Sequence, residues 1–228
     1  DFVDDLLAED PEAIDDALRE AIRSGATAVE LADAVADAAT RRVAQFGTSN
    51  EFADWNTVHH TFSYATAAAE LARRTDAADA YNTAFDGAVS VYLDRFLNQP
   101  PAPIPSPGET DRDPETIRAE LLETFDEQGR VDDAGRLVAE HFAADGDYRD
   151  LQRTLGEGLL REDPQFHTLQ NVEAAFRRVE RATAEGDRRL PLLATARYMA
   201  AHFPTRRASE QTFDIARRLF DGEPIHEG

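Results

Sequence analysis

Cysteine and lysine are both absent from the 228 residues, and methionine occurs once, as Met199. Without cysteine the chain has no disulfide scaffold, no thiolate nucleophile, no Cys zinc site and no Cys-ligated iron–sulfur cluster. Long apolar runs are also missing. Nothing approaches the ~18 residues that span a bilayer, and no signal-peptide pattern opens the chain. A membrane role is not expected, and the expected location is cytoplasmic. A lone internal methionine and a start at Asp1 predict a processed chain or a piece of a longer protein, with a further module upstream.

What the sequence has in excess is acid. The 45 Asp and Glu residues stand against 24 basic residues, all Arg, for a formal net charge of −21. Such a field favours solubility and repels nucleic-acid phosphates, so nucleic acid is not an expected partner. Disorder is not expected either, because the acids alternate with regular apolar positions and 42% of residues are hydrophobic. Absent lysine, abundant carboxylate and 39 alanines point to a cytoplasm of molar salt. There a Debye length of about 3 Å makes a surface of repelling acids cheap. A GC-rich genome is the alternative source of the Arg and Ala.

Helix punctuation recurs along the chain. Asp10-Pro11-Glu12 reads as a cap, a first-turn proline and a dipole-friendly acid, with Ser24-Gly25 as the stop. Thr27 and Glu30 form a capping box for a helix closed at Gly47. Further helices are expected from about Trp55 to Arg74 and Ala77 to Leu97. Residues 98–113 break the pattern, with five of the eleven prolines between Pro100 and Pro107, and predict an extended connector. Beyond it come Asp113-Pro114 to Gly129, Asp132 to Ala144, and a helix from Asp147 that Gly156 and Gly158 weaken. Asp163-Pro164 opens a long helix to Gly186, Pro191 begins another ending at Phe203-Pro204, and Thr205 starts a last one ending at Gly222. The fold class is all-α, about nine helices. An N-terminal group (1–97) and a C-terminal group (114–222) pack on one another through the connector; two separate bundles are the alternative.

The chemistry-bearing residues are histidines. His59 falls on the apolar stripe of Trp55 and Phe62, whereas His60 points about 100° away, above Tyr64. His167 shares a face with Gln170 and Asn171, and Glu173 reads as an acid inside the stripe of Phe166 and Leu169, where an unpaired carboxylate costs several kcal/mol. Arg177, one turn on, is its bland partner. His202, one turn beyond Tyr198, and His141 are weaker candidates. No His-Glu-x-x-His occurs, and none of His59, His60, His141, His167 and His202 has Glu three residues before it. This argues against a zincin and a ferritin-like di-iron centre. No phosphate-cradling glycine loop or nucleophile elbow is present. A metal site would be mononuclear and His-rich. Residues 165–220 carry ten Arg against six acids, leaving −25 for the rest; the readings are a docking face for an acidic partner, or pairing within the chain.

The run Arg41-Arg42-Val43-Ala44-Gln45-Phe46-Gly47-Thr48-Ser49-Asn50-Glu51-Phe52-Ala53-Asp54-Trp55 through His60, with Tyr92-Leu93-Asp94-Arg95-Phe96-Leu97-Asn98 and Phe203-Pro204-Thr205-Arg206-Arg207, resembles a helical domain found in archaeal and bacterial Rieske-type iron–sulfur proteins. The resemblance covers most of the chain and implies a redox association with the cluster carried upstream; it assigns no catalytic residue, and without cysteine this chain cannot hold that cluster. The expected function is a salt-adapted, redox-associated domain binding a metal, haem or small molecule in a His-lined cavity. His59, His60, His167 and His202 are the metal-ligand candidates. Trp55, Phe62, Phe166 and Asn171 would contact a cofactor, with Glu173 and Tyr64 moving protons. If the chain is an enzyme, it is an oxidoreductase rather than a Ser or Cys hydrolase. The rival reading is a non-catalytic interaction or homo-oligomerisation domain whose histidines are ordinary core residues.

Overall fold

Capping side chains start the helices much as the sequence spells them. A computed structural model describes residues 1–106, 108–163 and 165–222. The Asp10 carboxylate accepts the Glu12 N–H at 3.0 Å and Pro11 takes the first position of α2 (Pro11–Arg23), after a short α1 (Phe2–Leu6). Thr27 and Glu30 exchange the reciprocal capping-box bonds that open α3 (Ala28–Ala44). α4 (Phe52–Ala72) and α5 (Ala80–Asp94) follow, the latter running into a 3-10 turn (Arg95–Leu97). Beyond the connector, Asp113 caps α6 (Pro114–Thr124), and α7 (Val131–Ala143) leads to α8 (Tyr148–Leu160), capped by Asp147. The chain ends in α9 (Phe166–Arg181), α10 (Glu185–His202) and α11 (Ala208–Phe220). The described residues contain eleven α-helices and no strand, an all-α fold.

Two boundaries differ from the sequence reading. α9 stops at Arg181 and α10 begins at Glu185, running straight through Pro191. A proline inside a helix removes one backbone bond and costs about 3 kcal/mol; here every residue from 191 to 200 is buried, and that apolar gain outweighs it. Asp163 does not cap α9. Its carboxylate accepts the Ala208 and Ser209 N–H groups at 2.6 and 2.8 Å and caps α11 instead. Pro164 lies outside the described residues.

α10 is the axis. Its neighbours include α3 and α4 on one side and α7, α8 and α9 on the other, so helices before and after the connector share one apolar core. Arg197, fully buried at its centre, donates to the Phe46 carbonyl at 2.7 Å and to Asp132 at 2.8 Å. The connector crosses the face of this core. Asn98 accepts the Gly47 N–H and donates to the Gln45 carbonyl, Ala102 N–H donates to that same carbonyl, and Arg112 bonds Glu140. No described helix is long and apolar enough to cross a membrane.

Candidate functional site

α4 and α9 pack along one seam, and the C-terminal turn of α10 closes its end. His59 is fully buried because it shares the α4 stripe with Trp55, Val58 and Phe62. His60, one position on, is exposed, and His167 is half-buried in the first turn of α9. Helix packing brings the three rings together. The Nε2 atoms of His60 and His167 stand 3.1 Å apart, and the His59 ring centroid lies 5.6 Å from each of the other two. Tyr198 sits 5.2 Å from His59 and stacks on His202 at 4.1 Å, while Phe52 lies 4.4 Å from the other side of His202.

The polar contacts define what each ring can do. His202 Nδ1–H donates to the Tyr198 carbonyl at 2.8 Å, which leaves its Nε2 a buried lone pair with no protein partner. His59 Nδ1 is 3.2 Å from the Asn171 amide nitrogen, and the Asn171 Oδ1 accepts the Thr195 hydroxyl at 2.7 Å. In that orientation the amide donates to His59, whose proton sits on Nε2. Turned over, the amide accepts from Nδ1–H, Thr195 accepts from the amide, and His59 Nε2 presents a lone pair. Either way Nε2 makes no hydrogen bond within 3.5 Å and has no water-exposed surface, although the Gln170 side chain lies close enough to His59 to favour its charged form. Burial, reinforced by the charges of His60 and His167, pushes the His59 imidazole down to about 3, and burial pushes His202 down to about 4. Both rings are neutral near physiological pH, the form that ligates a metal.

The other expected site residues divide. Asn171 belongs to the cluster, its side-chain amide 3.2 Å from His59 Nδ1. Trp55 and Phe62 are buried, Trp55 packing edge-on against Phe46 at 4.9 Å, so they back the cluster as core. Phe166 is exposed, its ring 6.1 Å from His167. Tyr64 is 40% exposed and turns its hydroxyl toward the Thr83 carbonyl, on the α5 side. Glu173 is corrected: it is not in the apolar stripe. The buried face of α9 is Thr168, Asn171, Val172, Ala175 and Arg178, and Glu173 lies outside it, accepting from Arg177 at 2.6 Å. His141 is structural, donating to the Asp147 carbonyl at 3.0 Å. Tyr198 and Thr195 were not singled out; the spacing of Tyr198 and His202, one turn apart, was the available signal. Glu223 and His226, which do stand at Glu-x-x-His spacing, lie outside the described residues.

Among the described residues no set of three or more His, Asp or Glu side chains stands ready-made around one ion. The His60–His167 pair supplies two convergent donors. A groove of about 250 Å³ between α4 and α9, lined by Ser63, Thr66, Gln170, Glu173 and Arg177, runs beside it. The arginines of residues 165–220 are largely used inside the chain: Arg178 with Asp33 and Asp37, Arg181 with Glu70, and Arg207 with Glu162 and Asp126. No protein-family model matches the chain, and no curated protein or solved structure is similar to it at a significant level.

Proposed function

We propose that this helical domain binds one divalent transition-metal ion at the α4–α9 seam, with His60 and His167 as its chelating pair and His59 as the third donor. The observation that carries the reading is the hydrogen-bonded approach of the His60 and His167 Nε2 atoms to 3.1 Å, with the His59 ring centroid 5.6 Å from each of theirs. Two imidazole nitrogens on one tetrahedral ion, each ~2.05 Å from it, stand about 3.3 Å apart. Imidazole donors suit zinc, copper, iron or nickel rather than calcium or magnesium. Asn171 then acts as a positioning residue: its amide oxygen accepts a hydrogen bond from His59 Nδ1–H, which sets the tautomer, and the amide is itself held by Thr195. The exposed side of His60 leaves room for water or a small ligand in the remaining position. The sequence resemblance makes an iron–sulfur protein the expected redox partner, and the acid-rich, lysine-free surface fits a cytoplasm of molar salt.

Protein freed of metal by chelation and titrated with Zn²⁺ by calorimetry in molar KCl is expected to bind one ion per chain. His60→Ala and His167→Ala are each expected to weaken binding about 100-fold, a loss at the upper end of that seen for outer-shell partners, with little change in stability. Wild-type affinity in both variants would remove the proposal.

One observation favours the rival interaction role. Nearly all of α11 is exposed, including Phe213, Ile215, Leu219 and Phe220. A helix of 13 residues is marginal on its own in water, so this apolar face is suited to dock on another surface. Sedimentation in molar KCl tests it: a dimer that Phe213→Asp together with Leu219→Asp converts to monomer supports self-association through α11, and a wild-type monomer excludes it.

A further inference from the structure

A second cavity lies away from the histidines, where the C-terminal turn of α3 meets the connector. It measures about 740 Å³, within the range of small-molecule pockets, and is lined by Arg42, Gln45, Arg95 and Gln99 under an apolar lip that includes Leu7 and Pro100. In a chain with nearly twice as many acids as bases, most arginines hold a carboxylate; these two do not. Arg42, which lines the cavity, is only 8% exposed and spends its Nε on the Val91 carbonyl at 3.2 Å, while its two terminal nitrogens make no hydrogen bond among the described residues. Arg95 is pinned between the Tyr92 and Phe96 rings at 4.5 and 4.3 Å, donates to the Tyr92 hydroxyl, and has a buried, unpartnered Nε.

Burial holds the Arg42 guanidinium below its ordinary range; the Asp94 carboxylate opposes that shift and the charge of Arg95 adds a smaller push in the same direction as burial. The Asp94 carboxylate attracts Arg42 and offsets part of its charge. It forms no ion pair within 4.0 Å among the described residues, has an unpartnered oxygen, and burial pushes its carboxyl up to about 7. Glu9 at the rim is exposed. Two guanidiniums lining one half-buried pocket are complementary to a doubly charged oxyanion, which a phosphate supplies with acceptor oxygens matched to their N–H forks. The cavity is far larger than a phosphate ion and its lip is apolar. From this we infer that the pocket binds a phosphate monoester of a small organic molecule, with Arg42 and Arg95 on the phosphate and the apolar lip against the organic part.

Calorimetric titration of the full chain with phenyl phosphate, inorganic phosphate and benzoate, at constant ionic strength in KCl, tests this. Phenyl phosphate is expected to saturate one site and to bind more tightly than the other two. Arg95→Gln is expected to weaken it at least tenfold at unchanged melting temperature, and Arg153→Gln, on a remote exposed surface, to leave it unaltered. Arg42→Gln is expected to do the same as Arg95→Gln, though its bond to Val91 makes Arg95 the cleaner variant. No saturable binding, equal affinity in Arg95→Gln, or benzoate binding as tightly as phenyl phosphate would overturn the inference.

Discussion

Arg197→Ala is expected to lower the unfolding free energy by about 3–5 kcal/mol, the range for a truncated buried side chain. The loss has two parts. The Phe46 carbonyl, bonded to Arg197 at 2.7 Å, loses its buried donor, which costs about 1–3 kcal/mol. The stem of Arg197 packs against Gly135, where a side chain would come within 3.2 Å of it, so truncation also opens a void beside α7. Arg197→Met fills the void and retains only the first part. Asp132→Asn is expected to cost under about 1 kcal/mol, since Asp132 is 70% exposed and its partnership is screened. Denaturant midpoints in molar KCl give all three values, and equal costs for Arg197→Ala and Asp132→Asn would contradict this account of the α10 core.

Acidification should expose the buried state of His59. Its folded value of about 3 lies below the ordinary 6.5, so between these two pH values the unfolded chain binds the extra proton. Its contribution is therefore fully present above pH ~6.5 and is lost as pH falls toward the folded value, by about 2 kcal/mol between pH ~7 and ~5. His202, displaced in the same direction by burial, adds to the loss. Asp94 opposes it: pushed up to about 7 from 3.8, it takes up its proton in the folded state first and stabilises the fold over the same interval. The net slope mixes these groups, so the prediction is a difference. In metal-free protein, wild type should lose about 2 kcal/mol more than His59→Gln on going from pH ~7 to ~5. Parallel curves would mean that His59 is not held neutral by burial.

The helical architecture was legible because its signals are local. Asp10, Thr27, Asp113 and Asp147 each satisfy a backbone N–H within three residues, and prolines mark the connector. Local signals failed where tertiary packing decided. Pro191 read as a start, yet α10 runs through it because the residues that follow are fully buried. Asp163 read as the cap of the next helix, yet it caps α11, some 45 residues on. The histidines followed the same division. Helical phase alone separated a buried His59 from an exposed His60. That His60 meets His167 across 107 residues depends on how α4 and α9 are set against each other, which no periodicity records. Glu173 lies outside the buried face because Phe166 and Leu169, the apolar residues that precede it, are themselves exposed, so the apolar stripe of α9 lies elsewhere.

Cobalt(II) absorption tests the shared metal site most directly, because the ion reports the number and geometry of its nitrogen donors. Added to metal-free protein in molar KCl, Co²⁺ is predicted to saturate at one ion per chain with the intense visible bands of a four-coordinate imidazole site, and to lose them in the His60→Ala, His167→Ala double variant. A spectrum that stays that of the hydrated ion, or bands that survive the double substitution, would contradict it.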